Sequence, residues 1–149
     1  MSKINIEGNE IIDDMNYRYQ MEPIMVNYRG KNQGAKTLIL NISIIAQQLE
    51  RNVLELCEFF KHKYNTRINY DSDAKVCELK GTIMRDVLQD DLRLFIQEFI
   101  ICNQCGLPET EYRIKKTSKK LRKKCRSCGF KQKLEENKLT KFILKLLDT

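Results

Sequence analysis

The chain has a single histidine, His62, so no relay or metal site built on paired imidazoles is available to it. It also lacks GxGxxG, GxxxxGK[ST] and GxSxG, which removes dinucleotide binding, P-loop phosphate binding and nucleophile-elbow hydrolysis. The glycine-containing stretch 29–34 has no helix N-terminus directly after it, so it is not a phosphate-cradling loop. Adjacent carboxylates such as Asp90-Asp91 and Glu135-Glu136 diverge on a helix and form no acid/base pair. No apolar run approaches the ~18 residues of a membrane span. The opening MSKINIEGNEIIDDMN has no apolar signal core and carries four acidic residues, against secretion or import. Cys57 and Cys77 stand alone, as reduced thiols do in a cytoplasmic protein.

Four other cysteines have a pattern. Cys102-Asn-Gln-Cys105 is followed after nineteen residues by Cys125-Arg-Ser-Cys128. A two-residue spacer lets both sulfurs of each pair turn onto one tetrahedral ion, and two such pairs make a site for one zinc. Gly106 and Gly129 follow the pairs, where a tight knuckle needs φ > 0. Strand-like runs, Thr110 to Ile114 and Phe130 to Leu134, complete a zinc ribbon. Four thiolates leave no open position for a water nucleophile, so the zinc is structural.

Charge is local. There are 27 basic residues, 20 acidic ones and a net charge of +7. Lys115, Lys116, Lys119, Lys120, Arg122, Lys123 and Lys124 lie within ten consecutive residues; without those seven, the remaining 20 basic residues balance the 20 acidic ones. This run reads as a patch on the ribbon's loop that meets RNA phosphates, enlarged by Arg113, Arg126 and Lys131.

The rest of the chain alternates strand and helix signals. Residues 1–20 read as a polar, flexible tail. Ile24–Tyr28 and Lys36–Asn41 flank Arg29-Gly-Lys-Asn-Gln-Gly34 as a hairpin with an exposed basic loop carrying Arg29, Lys31 and Lys36. Asn41 is positioned to cap a helix with Ile42, Ile45, Ala46 and Leu49 on its buried face. Asn52, paired with Glu55, opens a second helix with the stripe Val53, Leu56, Cys57 and Phe60. Arg67–Tyr70 and Val76–Leu79 form another hairpin. After Gly81-Thr82, Met84, Leu88, Leu92, Phe95 and Phe99 define one face of a long helix running to Cys102. Leu139, Phe142, Ile143 and Leu146 define a last amphipathic helix. The fold class is α+β, with an α/β domain and connecting helix over 21–100 and the ribbon with its helix over 101–149.

Several blocks carry a family likeness: Tyr17-Arg-Tyr-Gln-Met21, Gly30, Gly34-Ala-Lys-Thr-Leu-Ile-Leu-Asn41, Phe99-Ile-Ile-Cys-Asn-Gln-Cys-Gly-Leu-Pro-Glu-Thr110 and Lys141-Phe-Ile-Leu-Lys145. Through them the sequence resembles the N-terminal domain of eukaryotic translation initiation factor 5 and, more distantly, the beta subunit of initiation factor 2. The likeness covers roughly residues 12–147. It departs at Glu58, where the family has a lysine, at Asn32-Gln33 in the loop, and in a heavier lysine run. The sequence ends at Thr149, without the family's acidic linker and C-terminal helical-repeat domain, as either a fragment or a minimal, short homologue would.

The resemblance implies an α/β domain like translation initiation factor 1, joined by a helix to the ribbon. It implies a cytoplasmic, monomeric, non-enzyme regulator that binds the small-subunit preinitiation complex. There it would stimulate GTP hydrolysis by the gamma subunit of initiation factor 2 at the start codon, with Arg18 as an arginine finger in trans. Initiator tRNA and small-subunit ribosomal RNA are the implied nucleic-acid partners. An alternative is an RNA-binding adaptor, or a beta-subunit-like factor, of the same fold that stimulates nothing. A transcription-type ribbon that binds a polymerase has only the generic ribbon in its favour.

Overall fold

The computed structural model describes residues 3–6, 11–12, 20–115 and 117–148. The chain divides into two compact units, Met1–Arg93 and Leu94–Thr149. The sequence reading put that division after residue 100.

In the first unit, β1 (Lys3–Asn5), β2 (Ile11–Ile12) and β3 (Gln20–Met21) form a small antiparallel sheet in the order β2-β1-β3. Ile4 pairs with Ile11 on one side and Met21 on the other. Ile4, Ile6 and Met21 are buried. Within the stretch read as a tail, residues 3–5, 11–12 and 20 are strand and Ile6 is a buried turn residue.

A hairpin follows, β4 (Val26–Arg29) and β5 (Lys36–Ile39), with Tyr28 opposite Thr37. Gly30 has φ +72°, and a Cβ there would collide with the carbonyl oxygen of Gly34. Only glycine closes the loop this tightly. The loop itself is a single 3₁₀ turn, Asn32–Gly34, closed by Gly34 N–H donating to Lys31 O at 3.0 Å.

Helix α1 (Ile42–Gln48) buries Ile42, Ile45 and Ala46 as the spacing predicts. Asn41 differs from its expected role, since its side chain caps nothing. Its Oδ1 accepts from Met25 N at 2.9 Å and its Nδ2 donates to Pro23 O at 2.9 Å, so it ties the chain ahead of β4 to the start of α1. Helix α2 (Val53–Tyr64) does have its cap, Asn52 Oδ1 accepting from Leu54 N at 2.9 Å, and buries Leu56, Cys57 and Phe60.

Strands β6 (Ile68–Asp71) and β7 (Val76–Lys80) add to the first hairpin, giving the sheet order β4-β5-β7-β6, all antiparallel. Asp71 Oδ1 accepts from the N–H groups of Asp73 and Ala74, an Asx turn that fixes the β6–β7 reversal.

Helix α3 (Arg85–Phe99) begins in the first unit, where Arg85 Nε donates to Ile24 O and Gln89 Oε1 accepts from Ile24 N. Leu88, Leu92, Phe95 and Phe99 are buried along it, and the rings of Phe95 and Phe99 stack with centroids 5.0 Å apart. Met84, expected on this face, precedes the helix and is 62% exposed.

The second unit holds β8 (Thr110–Lys115), β9 (Lys120–Cys125) and β10 (Lys131–Lys133), an antiparallel sheet in the order β10-β9-β8. Helix α4 (Lys138–Leu147) closes the chain. Asn137 Oδ1 accepts from Thr140 N and Thr140 Oγ1 accepts from Asn137 N, a reciprocal capping box. Ile143 and Leu139 are its buried residues among those the sequence marked. Among the described residues no helix is long and apolar enough to cross a membrane.

Candidate metal centre and cationic surfaces

The two CxxC turns fold alike because each repeats one hydrogen-bond set. Gly106 N–H donates to Cys102 O and Gly129 N–H to Cys125 O, both at 2.9 Å. Cys102 N–H donates to Leu107 O and Cys125 N–H to Phe130 O, at 3.0 and 2.9 Å. Gly106 and Gly129 have φ of +77° and +81°, as the knuckle reading requires.

The result is four sulfurs all within 4.8 Å of one another. Cys102 Sγ and Cys128 Sγ are 3.6 Å apart, as are those of Cys105 and Cys125. A tetrahedron with metal–sulfur bonds of ~2.3 Å has edges of about 3.8 Å, so the cluster has the size and donor chemistry to hold one metal ion. Burial pushes the Cys102 thiol up. Hydrogen bonds from the N–H groups of Cys105 and Gln104 and from the thiol of Cys128 outweigh it and bring Cys102 down to about 7. Such donors also stabilise the thiolate that a metal requires. Cys57 and Cys77 are buried in the first unit and take no part.

The basic run is not a loop. Lys120 through Lys124 lie in strand β9, where side chains alternate between faces. Leu121, Lys123 and Cys125 point one way and are 3%, 2% and 1% exposed. Lys123, expected to bind RNA, is therefore inside. Its Nζ donates to Glu98 O at 2.8 Å, in the last turn of α3, and to Ile101 O at 2.6 Å, just beyond the helix. Period two would have revealed this, since Lys123 shares its face with Leu121 and the metal-facing Cys125.

Lys120, Arg122 and Lys124 take the other face, with Lys115 opposite Lys120 and Arg113 opposite Arg122. Lys131 and Lys133 on β10 complete it, opposite Lys124 and Arg122. The sequence reading did not single out Lys133. Arg126, also read as part of the patch, lies in the knuckle turn with its Nη2 3.4 Å from Glu109 Oε2. Lys119 is exposed in the β8–β9 turn with φ +52°. Lys116 lies outside the described residues.

In the first unit Arg29, Lys31 and Lys36 are exposed at the hairpin. Lys36 Nζ is 2.8 Å from Glu78 Oε1. Lys36 also borders a groove of about 370 Å³ with Arg67, Lys80, Gln33 and Asn69. Arg67 and Lys80 are cations the sequence reading passed over; the register that sets Lys36 opposite Lys80 is a long-range pairing. Glu58, where the charge of the resembled family is reversed, lies 2.8 Å from His62 Nε2 and 3.6 Å from Lys61 Nζ. Arg18, with Tyr17 and Tyr19, lies outside the described residues.

Comparison with known proteins gives one consistent result. Residues 9–131 match a family model described as a domain found in initiation factors 2B and 5. The chain is 33% identical over 138 residues to eukaryotic translation initiation factor 5 of Caenorhabditis elegans, covering 92% of this chain and 31% of that protein. To the factor of the same name in Dictyostelium discoideum it is 33% identical over 146 residues, covering 97% and 36%. To probable eukaryotic translation initiation factor 5 of Schizosaccharomyces pombe it is 34% identical over 146 residues, covering 97% and 36%. The chain thus spans about a third of the length of these curated relatives.

Proposed function

This chain belongs to the family defined by the domain found in initiation factors 2B and 5, and on that premise we propose that it is a translation initiation factor of the initiation factor 5 type. The observation that carries this reading is the family match over residues 9–131, which takes in both the Tyr17-Arg-Tyr19 block and all four thiols of the metal centre. In this reading the protein binds the small-subunit preinitiation complex and stimulates GTP hydrolysis by the gamma subunit of initiation factor 2 when the start codon is recognised. Arg29, Lys31 and Lys36 of the first hairpin face initiator tRNA or ribosomal RNA, and so do the exposed cations of the run from Lys115 to Lys124. One structural zinc sits on Cys102, Cys105, Cys125 and Cys128 and holds the ribbon's two knuckles together.

Arg18 is the arginine finger of this reading. Phosphoryl transfer places negative charge on the γ-phosphate oxygens and on the bridging oxygen that leaves. A guanidinium supplied in trans meets that charge with a planar fork of donors. The test is single-turnover GTP hydrolysis in a reconstituted initiation complex. Wild-type protein should accelerate it, and Arg18→Met should remove most of an effect of about 10³–10⁵ while leaving ribosome binding nearly intact. Arg18→Lys should rescue little, since an ammonium lacks the fork. Equal stimulation by Arg18→Met would remove the finger.

A second reading, an RNA-binding adaptor that occupies the same place without stimulating hydrolysis, is favoured by the concentration of cations on the β8–β9–β10 sheet. Binding by wild-type protein with no acceleration of hydrolysis selects it.

A further inference from the structure

The outer face of the β8–β9–β10 sheet is almost uniformly cationic, and its register shows how. Lys115 lies opposite Lys120, Arg113 opposite Arg122, Lys131 opposite Lys124, and Lys133 opposite Arg122. Like charges directly across a ladder repel and weaken a sheet. The crowding acts at Lys133, whose ammonium is held below its usual range by the closeness of Lys120, by burial and by the charge of Arg122, with Glu136 pulling the other way. Within the three strands the one carboxylate is Glu111, opposite Lys124, and its Oε1 is 2.6 Å from Arg113 Nη2. A merely solvated face intersperses both signs; this one concentrates a single sign.

We propose that this face is a binding site for the phosphate backbone of RNA, read without regard to base sequence. The inference deepens, and rests on, the RNA-binding part of the function proposed above. It replaces a charged loop with a two-dimensional array. Along β9, alternate residues put Lys120, Arg122 and Lys124 at intervals of about 6.6 Å, and neighbouring strands repeat the charge about 4.8 Å to either side. Arg113, Lys115, Arg122, Lys124 and Lys131 line an open groove of about 400 Å³ between the rows. A phosphodiester strand carries one charge per nucleotide at regular intervals and suits such a ladder. An acidic peptide carries its charges on side chains, at a spacing that depends on its own sequence. The two guanidiniums, Arg113 and Arg122, can each grip a phosphate with two parallel donors. The one aromatic residue of the three strands, Tyr112, pairs with Lys123 and lies on the opposite face. The strands' outer face therefore offers charge without an aromatic residue of its own to stack on, which gives affinity for the backbone rather than for particular bases. Lys123, despite its place in the run, contributes nothing here.

The test uses the full zinc-loaded chain, a labelled single-stranded RNA and fluorescence anisotropy across a salt series. The triple variant Arg113→Gln/Arg122→Gln/Lys124→Gln should bind on the order of tenfold more weakly or worse. Its slope of log K against log salt should be shallower by about 2, at ~0.7 per lost phosphate contact. The charge-preserving variant Arg113→Lys/Arg122→Lys/Lys124→Arg should keep the wild-type slope, and DNA of the same sequence should compete nearly as well as RNA. The loop variant Arg29→Gln/Lys31→Gln/Lys36→Gln separates this site from the other candidate. If the loop variant loses all binding and the triple variant none, the face is not a site, while RNA binding by the protein stands. If wild-type protein binds no RNA, the broader RNA-binding reading fails with it. If polyglutamate displaces RNA at equal charge concentration, the face serves an acidic polypeptide and the proposal is overturned.

Discussion

Lys123 and Lys124 are neighbours in sequence with opposite surroundings. Lys123 is buried with its ammonium on two backbone carbonyls at and just beyond the end of α3, whereas Lys124 lies on the cationic face. Truncating the first removes the donor from both carbonyls, and hydrogen bonds to a charged group contribute about 1.5–3 kcal/mol each. Lys123→Met should therefore destabilise the second unit by roughly 3 kcal/mol in denaturant unfolding. Lys124→Met should change stability by no more than about 0.5 kcal/mol. The difference was hard to read in the sequence because seven cations in ten residues look alike, and only the β alternation anchored on Leu121 and Cys125 separates them. Glycines divide in the same way. Gly30→Ala brings a Cβ against Gly34 O as well as an unfavourable φ, and should cost about 2 kcal/mol or more. Gly106→Ala has open space around it and should cost only the backbone strain, about 1 kcal/mol. Thermal unfolding of the two variants side by side checks the contrast.

At the scale of elements, local signals were sufficient where an element is long or its turn is specified by short-range chemistry. The apolar spacing of α3 from Leu88 to Phe99, the Asx turn at Asp71 and the strand runs flanking Gly30–Gly34 are all written within a few residues of where they act. The sheet of β1, β2 and β3 is not. Its strands are two or three residues long, too short to show a period, and they pair Ile4 with Met21 across a polar stretch. A tail contributes nothing to stability, whereas a buried isoleucine does. Ile6 is 5% exposed, so Ile6→Ala should destabilise the first unit by about 2–3 kcal/mol in chemical denaturation, where a tail would give no change. Asn41 is a milder case: it stands at the helix start as its residue type suggests, yet its side chain is used by Pro23 and Met25. The site shows the same division. The thiol cluster was legible from spacing alone, whereas the cationic array needed the register of three strands.

The whole molecule is two units of different physical kind. The described residues of Met1–Arg93 form two sheets and two whole α-helices with a buried core; Leu94–Thr149 is small and centred on four thiols. Units of this size depend on a staple, and a structural zinc contributes about 10–16 kcal/mol. Cys125→Ser should therefore release the metal and abolish hydrogen-exchange protection in β8, β9 and β10, while β5 and β7 of the first unit stay protected. Ligation needs thiolates, so metal retention should also fail as pH is lowered, because protons compete for the sulfurs. Family membership is the ground for the proposal that this two-unit chain acts in translation initiation, and that proposal is the central claim. Its most direct test is the binding of this chain, loaded with zinc, to a small ribosomal subunit carrying initiator tRNA and initiation factor 2, measured over a range of salt. The expected result is saturable binding that weakens steeply with salt and weakens further when the cations of the hairpin or of the ribbon face are neutralised. No binding at low salt, with the metal in place and the first unit folded, would contradict it.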